Sequence, residues 1–130
     1  MIANASFSIK NWNEKPFSEV EGGGKLTHAK VSLLYSGDIT GEGVQEYLMV
    51  YDNDGAATFN GIERVTGSIG DRAGSFVLQH SGTFKDGNIT QHTVVVEGSA
   101  TGALEGLRGS TSLTAGHQQT FPFIFDYTFN

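Results

Sequence analysis

The chain has no cysteine, only two prolines, and no apolar run near the length of a membrane-spanning helix. Without cysteine there is neither a disulfide framework nor thiolate chemistry, a composition compatible with a cytoplasmic protein. Basic residues are few. Eight Lys and Arg against 14 Asp and Glu leave a net charge of −6, spread without acidic blocks, which argues for solubility and against nucleic acid. Met1 to Asn4 holds no basic region leading into an apolar run, so neither a signal peptide nor a membrane partner is expected. His28, His80, His92 and His117 show no metal-ligand spacing, and no glycine-rich phosphate loop precedes a helix. The sequence therefore points to no metal and no cofactor. Helical signals are missing as well, because no window keeps a 3.6-residue apolar period free of glycine.

What is present is strand and turn. The 130 residues are long enough to bury a core as one domain, residues 1–130, and 18 glycines punctuate apolar runs rather than forming a repeat. The spacing predicts about eight strands, over residues 3–12, 25–37, 44–53, 57–69, 73–85, 88–97, 106–115 and 121–129. That pattern is all-β, an eight-stranded antiparallel barrel with a central cavity. Asn13 to Gly24, with Pro16 and three glycines, reads as an irregular loop.

The turn residues set a pairing map, since two-residue loops fix which side chains face each other. A loop at Asp86-Gly87 pairs Phe84 with Ile89, His80 with Thr93 and Leu78 with Val95. One at Gly70-Asp71 pairs Phe76 with Val65, Leu78 with Glu63 and His80 with Gly61. One at Asp54-Gly55 pairs Glu63 with Glu46, Gly61 with Leu48 and Phe59 with Val50, and one at Glu42-Gly43 sets Tyr35 opposite Val50. Side chains alternate with period two, so these residues share one face, the barrel interior; a three-residue loop with a bulge would reverse that parity. The opposite face, with Tyr47, Met49, Tyr51, Ile62, Val77, Val94 and Val96, is apolar enough to predict a homo-oligomer.

The interior face holds Glu46, Glu63 and His80 among Phe and Leu. Two facing carboxylates in an apolar cavity require a proton or a cation between them. His80 is the natural partner, with Gly61 leaving room for its imidazole. Such a cluster suits general acid–base catalysis, and Glu46, Glu63 and His80 are the candidate catalytic residues. Tyr35, Leu48, Phe59, Phe76, Leu78, Gln91, Glu97 and Trp12 are the candidate ligand-binding residues. Three functions compete: a cofactor-free isomerase, cyclase or lyase acting on a small apolar molecule; a non-enzymatic barrel holding a hydrophobic ligand; and a packed scaffold whose aromatics fill the cavity.

The run from Val94 through Gly98, Thr101, Gly102, Arg108 and Gly109 resembles a signature of the allene oxide cyclase and dirigent barrels, with Leu104 where an aromatic is usual. The whole chain most resembles a bacterial relative of those barrels, domain-of-unknown-function family 3224. The likeness rests on Trp12, the segment Gly37 to Gly43, Tyr47-Leu48-Met49 and the strand Ser75 to Phe84. The resemblance implies an eight-stranded barrel with a ligand cavity, commonly in an oligomer. It does not carry over allene oxide cyclase activity: Asn11 and Pro16 match in place, but Ile9 stands where a glutamate is needed.

Overall fold

Alternating apolar and polar residues, cut by glycine turns, leave the chain no helix and nine strands in the computed structural model, which describes residues 1–130. These are β1 (Ile2–Val20), β2 (Gly24–Gly37), β3 (Ile39–Tyr51), β4 (Ala57–Ile69), β5 (Arg72–Lys85), β6 (Asn88–Val95), β7 (Thr101–Gly102), β8 (Leu107–Ala115) and β9 (Thr120–Phe129). Eight of them close into an antiparallel barrel in the order β1, β2, β3, β4, β5, β6, β8, β9, with β9 pairing back onto β1. The two-residue β7 lies against the start of β5, through Gly74 and Ser75. Closure leaves every long strand paired on both sides over part of its length, which removes the open edges of a flat sheet.

Two hairpins have the expected register. Asp86 and Gly87 both take positive φ (54° and 80°), the backbone of a two-residue turn matched to strand twist. Phe84 faces Ile89 and His80 faces Thr93. Around Gly70-Asp71, Phe76 faces Val65, Leu78 faces Glu63 and His80 faces Gly61.

On β3 the expected faces are reversed. Gln45, not Glu46, lies opposite Glu63; Tyr47, not Leu48, faces Gly61; and Met49, not Val50, faces Phe59. The cause is loop length. Tyr51 pairs with Ala57, so the turn holds the five residues 52–56 rather than two, and an odd loop inverts a period-two pattern. The Asp52 carboxylate stabilises it, accepting from the backbone N–H groups of Asp54 (2.9 Å) and Ala56 (3.0 Å). The β2–β3 turn also differs, lying at Asp38 rather than Glu42-Gly43, so that Tyr35 faces Gly41 and Val50 faces Leu26. Asp38 fixes this corner by accepting from the Asn4 N–H at 2.8 Å.

The segment Asn13–Gly24 is likewise not an irregular loop. β1 continues through it, paired with β2 as far as Val20–Gly24, with register shifts after Ile9 and Pro16. Because β9 covers β1 only through Ser8, Pro16 sits on a free edge, where a missing N–H costs no ladder bond.

The reversal also changes the outer surface. Tyr47 and Met49 are buried, whereas Val44, Leu48, Val50 and Ile62 are more than half exposed. An interface between copies of the chain would therefore keep Ile62 of the expected residues and draw on Val44, Leu48 and Val50 in place of Tyr47 and Met49. Inside, one end of the barrel is packed solid. Ile39, Val65, Phe76, Leu78, Leu104, Leu107 and Phe125 are almost fully buried there, with Phe76 and Phe125 stacked at 6.3 Å between ring centroids. The other end is hollow.

Candidate functional site

The hollow end is a cavity of about 250 Å³, lined largely by aliphatic and aromatic side chains. Glu63 and His80 line it from neighbouring strands, as diagonal neighbours on one face of the β4–β5 ladder. Both are sealed from solvent, at 1 % and 2 % exposure. His80 Nε2 lies 2.7 Å from Glu63 Oε1, and His80 Nδ1 lies 2.7 Å from Thr93 Oγ1. The second carboxylate oxygen, Oε2, accepts from the Tyr35 hydroxyl at 2.6 Å. Beyond Thr93, the Gln91 amide N–H donates to Thr93 Oγ1 at 3.4 Å, while Gln91 Oε1 accepts from the Tyr47 hydroxyl at 2.8 Å. One chain of hydrogen bonds thus crosses the cavity wall from Tyr35 to Tyr47. Thr93 Oγ1, which accepts from the Gln91 amide, links it to His80 Nδ1, and His80 Nε2 carries the chain on to Glu63.

Two glycines make the arrangement possible. A side chain on Gly43 would collide with Glu63 Oε2, and one on Gly61 would collide with the Tyr47 ring. The space at Gly61 therefore accommodates Tyr47, not the His80 imidazole as the pairing map had it. The charge of Glu63 acts on its neighbours. Burial first, then that charge and the hydrogen bond, hold the Tyr35 phenol well above its usual ionisation range. Burial and the same charge push Tyr47 up as well, against a smaller opposing effect of a hydrogen bond from Gln45. Both phenols remain neutral donors at any physiological pH.

A second carboxylate organises the cavity mouth. Glu14 Oε1 accepts from the Trp12 indole N–H at 3.0 Å, and Oε2 accepts from Thr27 (2.7 Å) and Tyr51 (2.6 Å). Partial burial raises the Glu14 carboxyl, but the hydrogen bonds from Tyr51, Thr27 and Trp12 and the charge of Lys25 outweigh it and leave it below its ordinary 4.5. Burial and Glu14 together push the Tyr51 phenol up to about 12. Trp12 and Tyr51 both line the cavity, and Trp12 packs on Tyr47 with ring centroids 6.0 Å apart.

Of the expected site residues, Glu63, His80, Tyr35, Phe59, Gln91 and Trp12 meet at this cavity. The others do not. Glu46 lies on the outside, where its Oε1 is 2.8 Å from His28 Nε2 and both side chains are about half exposed. Leu48, on the same outer face, is 58 % exposed. Phe76 and Leu78 are inside but belong to the packed end. Glu97 lies past the end of β6, exposed and ion-paired with Arg108. The pairing map missed Gln45, Tyr47, Met49 and Tyr51 because Val44 to Tyr51 carries apolar residues at both parities; Asp52, placed to cap a longer turn, was the available signal. No group of three or more His, Cys, Asp or Glu side chains is placed to hold a metal ion.

Fold and site together define a small closed antiparallel barrel with one apolar chamber and a buried Glu–His pair in its wall. The sequence matches the family described as "Protein of unknown function (DUF3224)" over residues 3–127, and the chain belongs to that family. It is similar to a crystal structure from Shewanella oneidensis MR-1, a protein with unknown function from the same family. That match has a TM-score of 0.81 at 28 % identity and covers 100 % of this chain and 97 % of the other. No curated protein matches the sequence.

Proposed function

We propose that the barrel binds a small apolar molecule in its chamber and that Glu63 and His80 move a proton on it, as an isomerase, cyclase or lyase would. The observation that supports this is the placement of a 2.7 Å carboxylate–imidazole pair in the wall of an otherwise apolar cavity. Burying two ionisable groups is costly, and apolar residues of similar size would serve stability as well or better. A carboxylate held by an imidazole and a phenol keeps unused lone pairs and can accept a proton from a substrate carbon or oxygen. Returning that proton to another atom completes a redox-neutral rearrangement without a cofactor. The chamber is also the feature implied by the likeness to the allene oxide cyclase barrels, though Ile9 stands where their glutamate would be.

A second reading, a binding barrel without catalysis, is favoured by one observation. Every nitrogen of His80 and both oxygens of Glu63 already have partners within the protein. The two readings separate in one experiment with 1-indanone, a small enolisable ketone, in D2O. Deuteration at the carbon beside the carbonyl, faster with wild type and lost in Glu63→Gln, supports proton transfer. Binding of the ketone with no faster exchange leaves the binding barrel.

A further inference from the structure

The chamber contains one polar side chain that the hydrogen-bond chain does not absorb. Gln45 is 2 % exposed and lines the cavity. Apart from its approach to the Tyr47 hydroxyl, its amide has no partner, whereas no fully enclosed side-chain nitrogen or oxygen in the molecule is left unpaired. The Gln45 amide therefore meets the open chamber. With one N–H turned to Tyr47, the amide keeps its second N–H and its oxygen as spare hydrogen-bonding capacity in an apolar wall, the usual means of orienting a ligand.

The surroundings restrict what fills it. No lysine or arginine lines the chamber, so an anionic ligand would bring an unpaired charge next to Glu63. A cation would find that carboxylate already held by His80 and Tyr35. Either would pay the full cost of burying a charge. Trp12, Tyr47 and Phe59 line the chamber at mutual angles of 41° and 71°, so a planar body that stacks on one ring meets its neighbour edge to face. A volume of about 250 Å³ equals about eight water molecules at ~30 Å³ each, or on the order of ten non-hydrogen atoms.

We propose that Gln45 anchors the ligand, and that the ligand is a small neutral molecule with a planar apolar body and one carbonyl or hydroxyl oxygen received by the Gln45 amide. The inference rests on the chamber being a binding site, as argued above, and adds its ligand class and a positioning residue. It also orients the chemistry. Gln45 lies directly across the ladder from Glu63, where facing Cβ atoms are about 5 Å apart. A carbonyl held by the amide N–H brings its neighbouring carbon against the Glu63 carboxylate.

The test is calorimetric titration of wild type, Gln45→Leu and Gln45→Met with four probes of one shape: 1-indanone, indane, indane-1-carboxylate and 1-aminoindane. Wild type should prefer 1-indanone to indane by about tenfold, the worth of a buried hydrogen bond, and should bind the two charged probes more weakly than either. Both variants should lose that preference while holding indane as well as wild type does. If the variants keep the preference for 1-indanone, or if a charged probe binds as tightly as the ketone, the assignment of Gln45 and the ligand class is wrong while the chamber stands as a binding site. If no probe binds wild type, the chamber itself is not a site for molecules of this size, and both readings are overturned. The wild-type comparison of ketone with hydrocarbon holds even if a variant fails to fold.

Discussion

The Glu63 carboxylate occupies the space in which a side chain at Gly43 would stand. Glycine at 43, one strand away, is thus part of the site without carrying any functional group. Adding a methyl there pushes on an oxygen that the Tyr35 hydroxyl also holds, so the carboxylate cannot swing aside without breaking a buried bond. Gly43→Ala should destabilise the barrel by about 1–3 kcal/mol, the usual cost of overpacking, and weaken binding of 1-indanone. Urea unfolding and calorimetry on the same variant check both; unchanged stability would mean that the carboxylate is mobile.

The two glutamates that the turn residues paired should behave oppositely. Glu63→Gln keeps shape and hydrogen-bonding capacity, so it should cost no more than about 1.5 kcal/mol. Glu63→Leu strands the His80 imidazole and the Tyr35 hydroxyl and should cost at least about 2 kcal/mol. Glu46→Gln and Glu46→Leu lie on the exposed outer face and should stay within about 0.5 kcal/mol of wild type. Denaturant midpoints of the four variants decide; a Glu46 variant as damaging as its Glu63 counterpart contradicts the observed register.

That contrast shows how far the sequence was legible. The β4–β5 and β5–β6 hairpins follow from Gly70-Asp71 and Asp86-Gly87, because a two-residue turn leaves only one register. Glu63, His80 and Gln91 were placed correctly through them. β3 failed because Asn53-Asp54-Gly55 looks like a short turn, whereas the Asp52 carboxylate caps a longer one. Hydrophobicity gave no correction, since Leu48 and Val50 alternate with Tyr47, Met49 and Tyr51 and either set would serve as a core face. Cross-barrel contacts such as Tyr47 to Gln91 and Tyr35 to Glu63 depend on closure, which pairwise hairpin arithmetic does not describe.

Alkaline pH should destabilise the protein through the two buried phenols. Tyr35 and Tyr47 ionise far more readily unfolded, near 10, than folded. The unfolded chain therefore sheds protons first. Stability is intact below pH 10 and falls as pH rises above it, by up to about 1.4 kcal/mol per pH unit for each tyrosine. Tyr51, pushed up to about 12, adds to the same decline; Tyr47→Phe removes one contribution and should make the decline shallower. Urea unfolding between about pH 9 and 11 measures it; an equally steep decline in the variant would rule out this contribution from Tyr47.

At acid pH the sign reverses at the cavity mouth. The Glu14 carboxyl ionises below its ordinary 4.5 when folded, so its contribution is present above that value and is lost as pH falls through the folded one. Trp12 is the chain's one tryptophan, and it donates to Glu14, which makes its fluorescence a local reporter. The emission should change as Glu14 takes up a proton, and Glu14→Gln should abolish that step. A step that survives in Glu14→Gln would assign it to another group.

The most direct measurement follows methyl and histidine-ring NMR signals while 1-indanone is titrated into the protein. Met49 and Leu48 are adjacent in sequence but differ sharply in exposure, 8 % against 58 %, so they report on opposite faces of one strand. Binding in the chamber should shift the Met49 methyl and the His80 ring and leave Leu48 and Val50 unmoved. Shifts confined to Leu48 and Val50, or no shift at His80 at saturating ketone, would contradict a binding site inside the barrel.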